Sequence, residues 1–176
     1  MQLNRLVLAS LTLVALLMVG CSKQETAQPG DSTSKREVSV QTVSAEAKGF
    51  TVGALMSANT AYVFFDPQCP HCGHLWQASL PLHKRVKFVW IPVAWINASS
   101  LPQGAALMSA VNPVDLMTEH ETSLLAGKGG IAASASIASS MEQSIKANTK
   151  LLNSLGAESV PFVVVKNATT DRKSVV

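Results

Sequence analysis

The chain has 176 residues, enough for a targeting segment and one domain. It is 47% hydrophobic and 14% charged, which excludes a disordered chain, and its net charge of +3 is too small to argue for nucleic-acid binding. With only three cysteines, their positions matter more than their number.

Residues 1–20 read as a signal peptide. Arg5 and the amino terminus supply the positive start, and the apolar run 6–20 is short for a transmembrane helix. Val19-Gly20-Cys21-Ser22 resembles the lipobox of bacterial lipoproteins, although Met18 stands where leucine is usual. That resemblance implies lipidation of Cys21, which would anchor the mature chain to a membrane. The alternative is an ordinary signal peptide cleaved nearby, leaving Cys21 as a free thiol. Either reading sends the domain out of the cytoplasm, to a periplasmic space where disulfides persist. Residues 22–36 are polar, with Gly, Pro and Ser and no apolar period, so 21–37 is expected to be a flexible tether. The folded domain is expected over 38–176. Residues 38–43 alternate apolar and polar, as a short strand does, while 45–56 suggest no element.

Residues 61–76, AYVFFDPQCPHCGHLW, carry the chemistry. The apolar, aromatic and β-branched run 61–65 predicts a buried strand, and Asp66-Pro67-Gln68 breaks it. Pro70 suits the first turn of a helix, so a helix is expected to open on Cys69. Cys69 and Cys72 then share one helical face, close enough for a disulfide. The partial positive charge of the helix N-terminus, and His71 when protonated, favour a thiolate.

At these residues the chain resembles the thioredoxin-like disulfide oxidoreductases of bacterial envelopes, and in particular the DsbG/DsbC-type catalytic domain. A strand ending in F-x-D-P, a turn residue, C-P-x-C and an aromatic soon after carry the likeness, which runs from about Tyr62 to about Val165. It implies an α/β, thioredoxin-like fold with a helical insertion, and a thiol:disulfide oxidoreductase. Cys69 would be the exposed attacking sulfur and Cys72, more buried, would resolve the mixed disulfide. Pro70 and His71 would tune the pair. The direction of electron flow stays open between oxidase, reductase and isomerase. The resemblance implies protein substrates with thiols or disulfides, a second redox protein that resets the site, and no cofactor. The dimerisation module of the family isomerases has no counterpart before the active-site strand, so a monomer that isomerises poorly is expected.

Further along, the helix after Cys69 is expected to reach Leu82 with a kink at Pro81. Residues 86–96 predict a second strand, ending or bulging at Pro92. Residues 97–157 have mainly helical signals: 103–111, then 114–126 with Pro113 at its first position and Gly127 closing it, followed by the small-residue stretch 128–137, which is expected to be a loop. A third helix would be capped by Ser139 or Ser140 and ended by Gly156. Val160-Pro161 precedes another strand, 162–165. The resemblance implies a cis proline lying against the CPHC motif, with Val160 pairing with substrate through its backbone. Residues 167–176 are too few for the strand and closing helix of the fold, so these are expected to be truncated to a short strand at most. Phe162 and Val164 would share one face of that sheet and Val163 and Val165 the other, one pair lying open.

Other readings of the cysteine pair weigh less. The loop that a Cys69–Cys72 bridge closes is very small, so it constrains the unfolded chain little and argues against a structural staple. With His71 and His74 the pair is a half-site for metal, and a metal-binding or metal-transfer lipoprotein is the alternative function. A structural zinc site wants four ligands, and His83 and His120 lack the spacing. His74, His83 and His120 are expected at the surface or in packing. Trp76, Trp90 and Trp95 are expected in the core or lining a groove, and Asp66 is expected to form a turn or cap a helix.

Overall fold

The computed structural model describes residues 37–166 and 173–175, with Lys166 and the last stretch described by backbone alone. The expected signal peptide, Cys21 and most of the expected tether lie outside the described residues. Five strands build one mixed sheet: β1 Phe50–Gly53, β2 Thr60–Phe65, β3 Lys87–Pro92, β4 Phe162–Lys166 and β5 Lys173–Val175, in the order β1-β3-β2-β4-β5. Only β2 and β3 run parallel, and a helical crossover joins them; the other pairs are antiparallel. The helices are α1 Val40–Glu46, α2 Pro70–Ser79, α3 Ser100–Met108, α4 Pro113–Leu125 and α5 Ser139–Ser154. The last three fill the connection between β3 and β4, where the helical insertion was expected.

Strand alternation sorts the core into two layers. Ala61, Val63 and Phe65 of β2 face the same side as Val52, Phe88, Trp90, Val163 and Val165, and this face packs against Trp76 of α2 and Met117 of α4. Tyr62, Phe64, Ile91, Phe162 and Val164 face the other side, against Val43 of α1 and Leu151 and Leu152 of α5. The central register places Val63 between Trp90 of β3 and Val163 of β4. Phe162 and Val164 are buried, whereas Val163 and Val165 are half-buried. The pairs divide between faces as the strand period requires, and the less covered pair lies on the α2 side.

Several elements differ from the sequence reading. Residues 38–43 do not form a strand. Val40, Val43 and Ala47 stand three and four residues apart, so the same apolar pattern suits a helix, and α1 buries Val43 completely. The first strand is β1, inside 45–56, where no element was expected; Phe50 and Val52 alternate into the core. Gly49 precedes β1 because a Cβ there would run into the Trp90 carbonyl. α2 does not kink at Pro81. It ends at Ser79 and passes into a 3-10 turn over Leu80–Lys84, whose start accommodates the proline's missing N–H. β3 ends at Pro92, as expected, and so covers less than the full run 86–96. Gly127 and Gly156, both at positive φ, follow α4 and α5 as expected. Neither serine caps α5: Ala138 is the cap residue, and its carbonyl accepts from Met141 and Glu142 N–H.

Leu152 is fully buried between α5 and the sheet, whereas Leu82 on the 3-10 turn is exposed. Leu152→Ala is expected to lower unfolding stability by about 2–5 kcal/mol, and Leu82→Ala by less than about 0.5 kcal/mol. Urea unfolding of both variants checks this; equal losses would contradict the layer assignment.

Candidate active site

β2 delivers the chain to a turn built around Asp66. This carboxylate is fully buried and accepts four hydrogen bonds. Oδ1 takes Gln68 N–H at 2.8 Å and Ser100 Oγ–H at 2.7 Å, while Oδ2 takes Trp95 N–H at 2.6 Å and Ile96 N–H at 2.9 Å. Asp66 therefore forms the turn, as expected, and also ties it to the segment after β3 and the start of α3. Its carbonyl accepts from Cys69 N–H at 2.9 Å, and Cys69 is the extended N-cap of α2, with Pro70 in the first turn.

A second set of contacts holds the turn from the insertion. Ile131 N–H donates to His120 Nδ1 at 3.2 Å, so the ring proton is on Nε2, which donates to the Pro67 carbonyl at 2.7 Å. Burial pushes the His120 pKa down and keeps the ring neutral. Gln103 Nε2 donates to the carbonyls of Gly129 at 2.8 Å and Ile131 at 2.9 Å, and its Oε1 accepts from Gln68 Nε2. Thus α3, α4 and the loop after α4 all grip residues 67–68, next to the cysteines.

Both cysteines are free. Cys69 is not exposed, contrary to expectation: it is 4% accessible and Cys72 0%. The backbone before the proline covers it, and Cys69 Sγ lies 3.4 Å from the Val160 carbonyl oxygen. The Val160–Pro161 bond is cis. The pKa values of the two thiols are driven in opposite directions. The Cys72 thiol donates to the Cys69 sulfur and, against the opposing effect of burial, holds the Cys69 pKa at about 6. The N–H groups of Cys72 and His71, and the charge of His71, add to this. The same shared hydrogen bond, with burial, pushes Cys72 far up. His71 is exposed beside Cys69, its ring centroid 6.4 Å from that of His74.

The tryptophans sort as core and rim. Trp76 meets Trp90 edge-on at 5.2 Å and donates its Nε1–H to Thr118, while Trp95 is half-buried with Nε1–H on Asn153. His83 packs against Trp76 and Phe88, and His74 is exposed. Among the described residues no group of three or more His, Cys, Asp or Glu could hold a metal ion.

Sequence reasoning missed Gln68, Gln103 and Glu121 and placed His120 only in packing. A signal was available for α4. Val114, Met117, Glu121 and Leu124 repeat at helical spacing, so Glu121 occupies the apolar stripe. It is indeed fully buried, and burial together with the Cys69 charge raises its pKa to about 8.

The sheet order, the CPHC dithiol at a helix N-terminus and the cis proline against it define a protein of the thioredoxin fold. The solved catalytic domain of Proteus mirabilis ScsC superposes with a TM-score of 0.56 at 16% identity, covering 76% of this chain and 88% of that one. A periplasmic thioredoxin-like protein from Salmonella enterica serovar Typhimurium gives 0.58 at 14% identity, covering 75% and 87%. In sequence the chain resembles the thiol:disulfide interchange protein DsbG of Pseudomonas aeruginosa, at 29% identity over 119 residues. The match takes in 66% of this chain but 45% of DsbG, so the chain spans less than half the length of that relative. No family model matches the chain.

Asp66→Ala strands the Trp95 and Ile96 N–H groups and the Ser100 hydroxyl, and is expected to cost at least about 3 kcal/mol in urea unfolding. A loss below about 1 kcal/mol would show that this carboxylate organises nothing.

Stability should also depend on pH through two groups of opposite sign. Native Glu121 keeps its proton up to about 8, against ~4.3 for an unfolded glutamate. Between these values the native state binds more protons, so this contribution falls as pH rises. Native Cys69 titrates at about 6, below the ~8.5 of a free thiol. Its contribution is full above the unfolded value and is lost as pH falls through the native one. Glu121→Gln removes the first effect alone, so its stability relative to the native chain should improve as pH is raised from about 5 to about 8. Parallel pH profiles would refute the assignment.

Proposed function

We propose that this protein is a thiol:disulfide oxidoreductase that exchanges disulfides with envelope proteins. The observation that carries the reading is the asymmetry of the pair: Cys69, at the helix start, is held as a thiolate near neutral pH, while Cys72 behind it is held as a thiol. In this reading Cys69 attacks or is attacked, and Cys72 resolves the mixed disulfide. Pro70 opens the helix, and His71 supports the thiolate by its charge and N–H. Val160 and Pro161 form the wall against which a substrate backbone pairs, with the Val160 carbonyl directed at the sulfur. The likeness to DsbG supports the same activity.

The protein acts outside the cytoplasm, on protein thiols or disulfides, and a second redox protein resets the pair. The lipobox-like sequence around Cys21 supports a membrane-anchored, periplasmic lipoprotein. In this reading the protein is a monomer, which sedimentation of the domain tests. Mass analysis of the mature protein tests the lipid.

Cys72→Ser is expected to accumulate a mixed disulfide with substrate, and Cys69→Ser to exchange no thiols. Alkylation of Cys69 in the reduced protein should follow a midpoint near 6, and His71→Ala should raise that midpoint and make the disulfide less oxidising. A midpoint near the free-thiol value of ~8.5, or preferential labelling of Cys72, would remove the basis of the reading.

A further inference from the structure

Glu121 sits where a carboxyl is costly. It is fully buried on α4, and among the described residues neither Oε1 nor Oε2 has a hydrogen-bond partner. Gly73 makes the room for it: a Cβ there would stand 2.6 Å from Glu121 Oε2. Glycine is a poor helix former, yet it occupies the interior of α2 one residue after Cys72. Two local costs meet at one place beside the dithiol. Such coincidences mark functional positions more often than packing ones.

The charges are linked as well. The Cys69 charge disfavours a charge on Glu121, and Glu121 in turn pushes Cys72 toward the neutral thiol. Few other ionisable groups face this carboxyl. α3 and β1, which pack on α4, have none in their sequences. α2 adds the exposed His71 and His74, and α4 itself adds the neutral His120 and the exposed Asp115 and Glu119; Lys128, past the end of α4, is exposed.

We propose that Glu121 holds the proton that Cys72 exchanges during thiol transfer. The proposal deepens the thiol-exchange reading and rests on it. In the mixed disulfide Cys69 Sγ is bonded to a substrate sulfur and carries no charge. The Cys72 S–H bond breaks and its proton passes to the Glu121 carboxylate, directly or over one water. The Cys72 thiolate attacks Cys69 Sγ, the Cys69–Cys72 bond forms, and the bond to substrate breaks. The substrate sulfur leaves with the electron pair and takes a proton from solvent, so the substrate is reduced and the protein oxidised. In reverse, a thiolate attacking Cys69 expels Cys72 as a thiolate, and the Glu121 acid protonates it. The Cys69 charge switches the carboxyl. When that charge is lost to a disulfide, Glu121 ionises more readily, at the step where a base is needed.

The test separates the two exchange steps in the full chain, with a disulfide-bonded peptide as probe. Glu121→Gln keeps the shape of the acid, and Gly73→Ala leaves the carboxyl present but displaced. Both are expected to slow resolution of the mixed disulfide at least ~10-fold and to lose its dependence on a group titrating below the value of about 8 that Glu121 has beside the Cys69 thiolate. Cys69 alkylation should be unchanged in both, which shows that the site is folded. In the native protein, carbon-13 NMR of the Glu121 carboxyl should show a lower midpoint after oxidation of the dithiol. A native chain that forms no mixed disulfide overturns the exchange reading and this proposal with it. Native exchange with variants that resolve at the native rate, or one Glu121 midpoint in both redox states, overturns the proposal alone.

Discussion

A buried carboxylate with every contact satisfied is the constraint on which the site depends. Asp66 is out of reach of solvent, and its four donors come from three places: the turn itself, the end of the β3 segment and the start of α3. Removing a charge from water is costly, and only a full set of donors offsets that cost. Those donors are spread over thirty-odd residues of sequence, so the carboxylate fixes the relative positions of β2, β3 and α3. Cys69 hangs from the Asp66 carbonyl by a single N–H. The direction in which α2 leaves the sheet is therefore set by an interaction that involves neither cysteine.

The insertion is more than a filler between sheet halves. Its helices return side chains to the motif: Ser100 bonds Asp66, Gln103 and His120 hold residues 67–68, Thr118 accepts from Trp76, and Glu121 lies against Gly73. His120 does this only as the neutral Nε2–H tautomer, because its Nδ1 must accept from Ile131. Desolvation of the ring maintains that form. The strands and α2 give the dithiol its position, and α3 and α4 supply its surroundings.

Much of this was legible in the sequence, and the failures have physical reasons. The run 61–65, the break at Asp66 and Pro70 fix β2 and α2 because strand period, turn chemistry and proline geometry agree. Pro113, Gly127 and Gly156 likewise mark helix ends. Residues 38–43 were misread because three valines, Val38, Val40 and Val43, spaced two and then three apart, suit a period of two and a period of three to four alike; the sheet chose. β1 was missed because it is four residues long between glycines, and its pairing with β3 is non-local. Burial of Cys69 was misread because the backbone that covers it comes from residue 160, far along the chain. Three of the four donors that gather on Asp66 are backbone N–H groups, which no residue type announces.

Charge in this space obeys a limit that burial imposes. Cys69, Cys72 and Glu121 are all buried, and among the described residues the cation that acts on Cys69 is His71 at the rim, when protonated. A second negative charge among them is disfavoured both by desolvation and by repulsion from the first. Near neutral pH the first charge resides on Cys69, because there the helix N-terminus, the Cys72 thiol and His71 all point at one atom. Cys72 and Glu121 then keep their protons. When Cys69 enters a disulfide the charge has lost its preferred atom, and the two remaining candidates are Cys72 and Glu121. The chemistry of resolution is the movement of that one charge from carboxylate to sulfur. A site with no buried acid would have to draw it through protein from solvent.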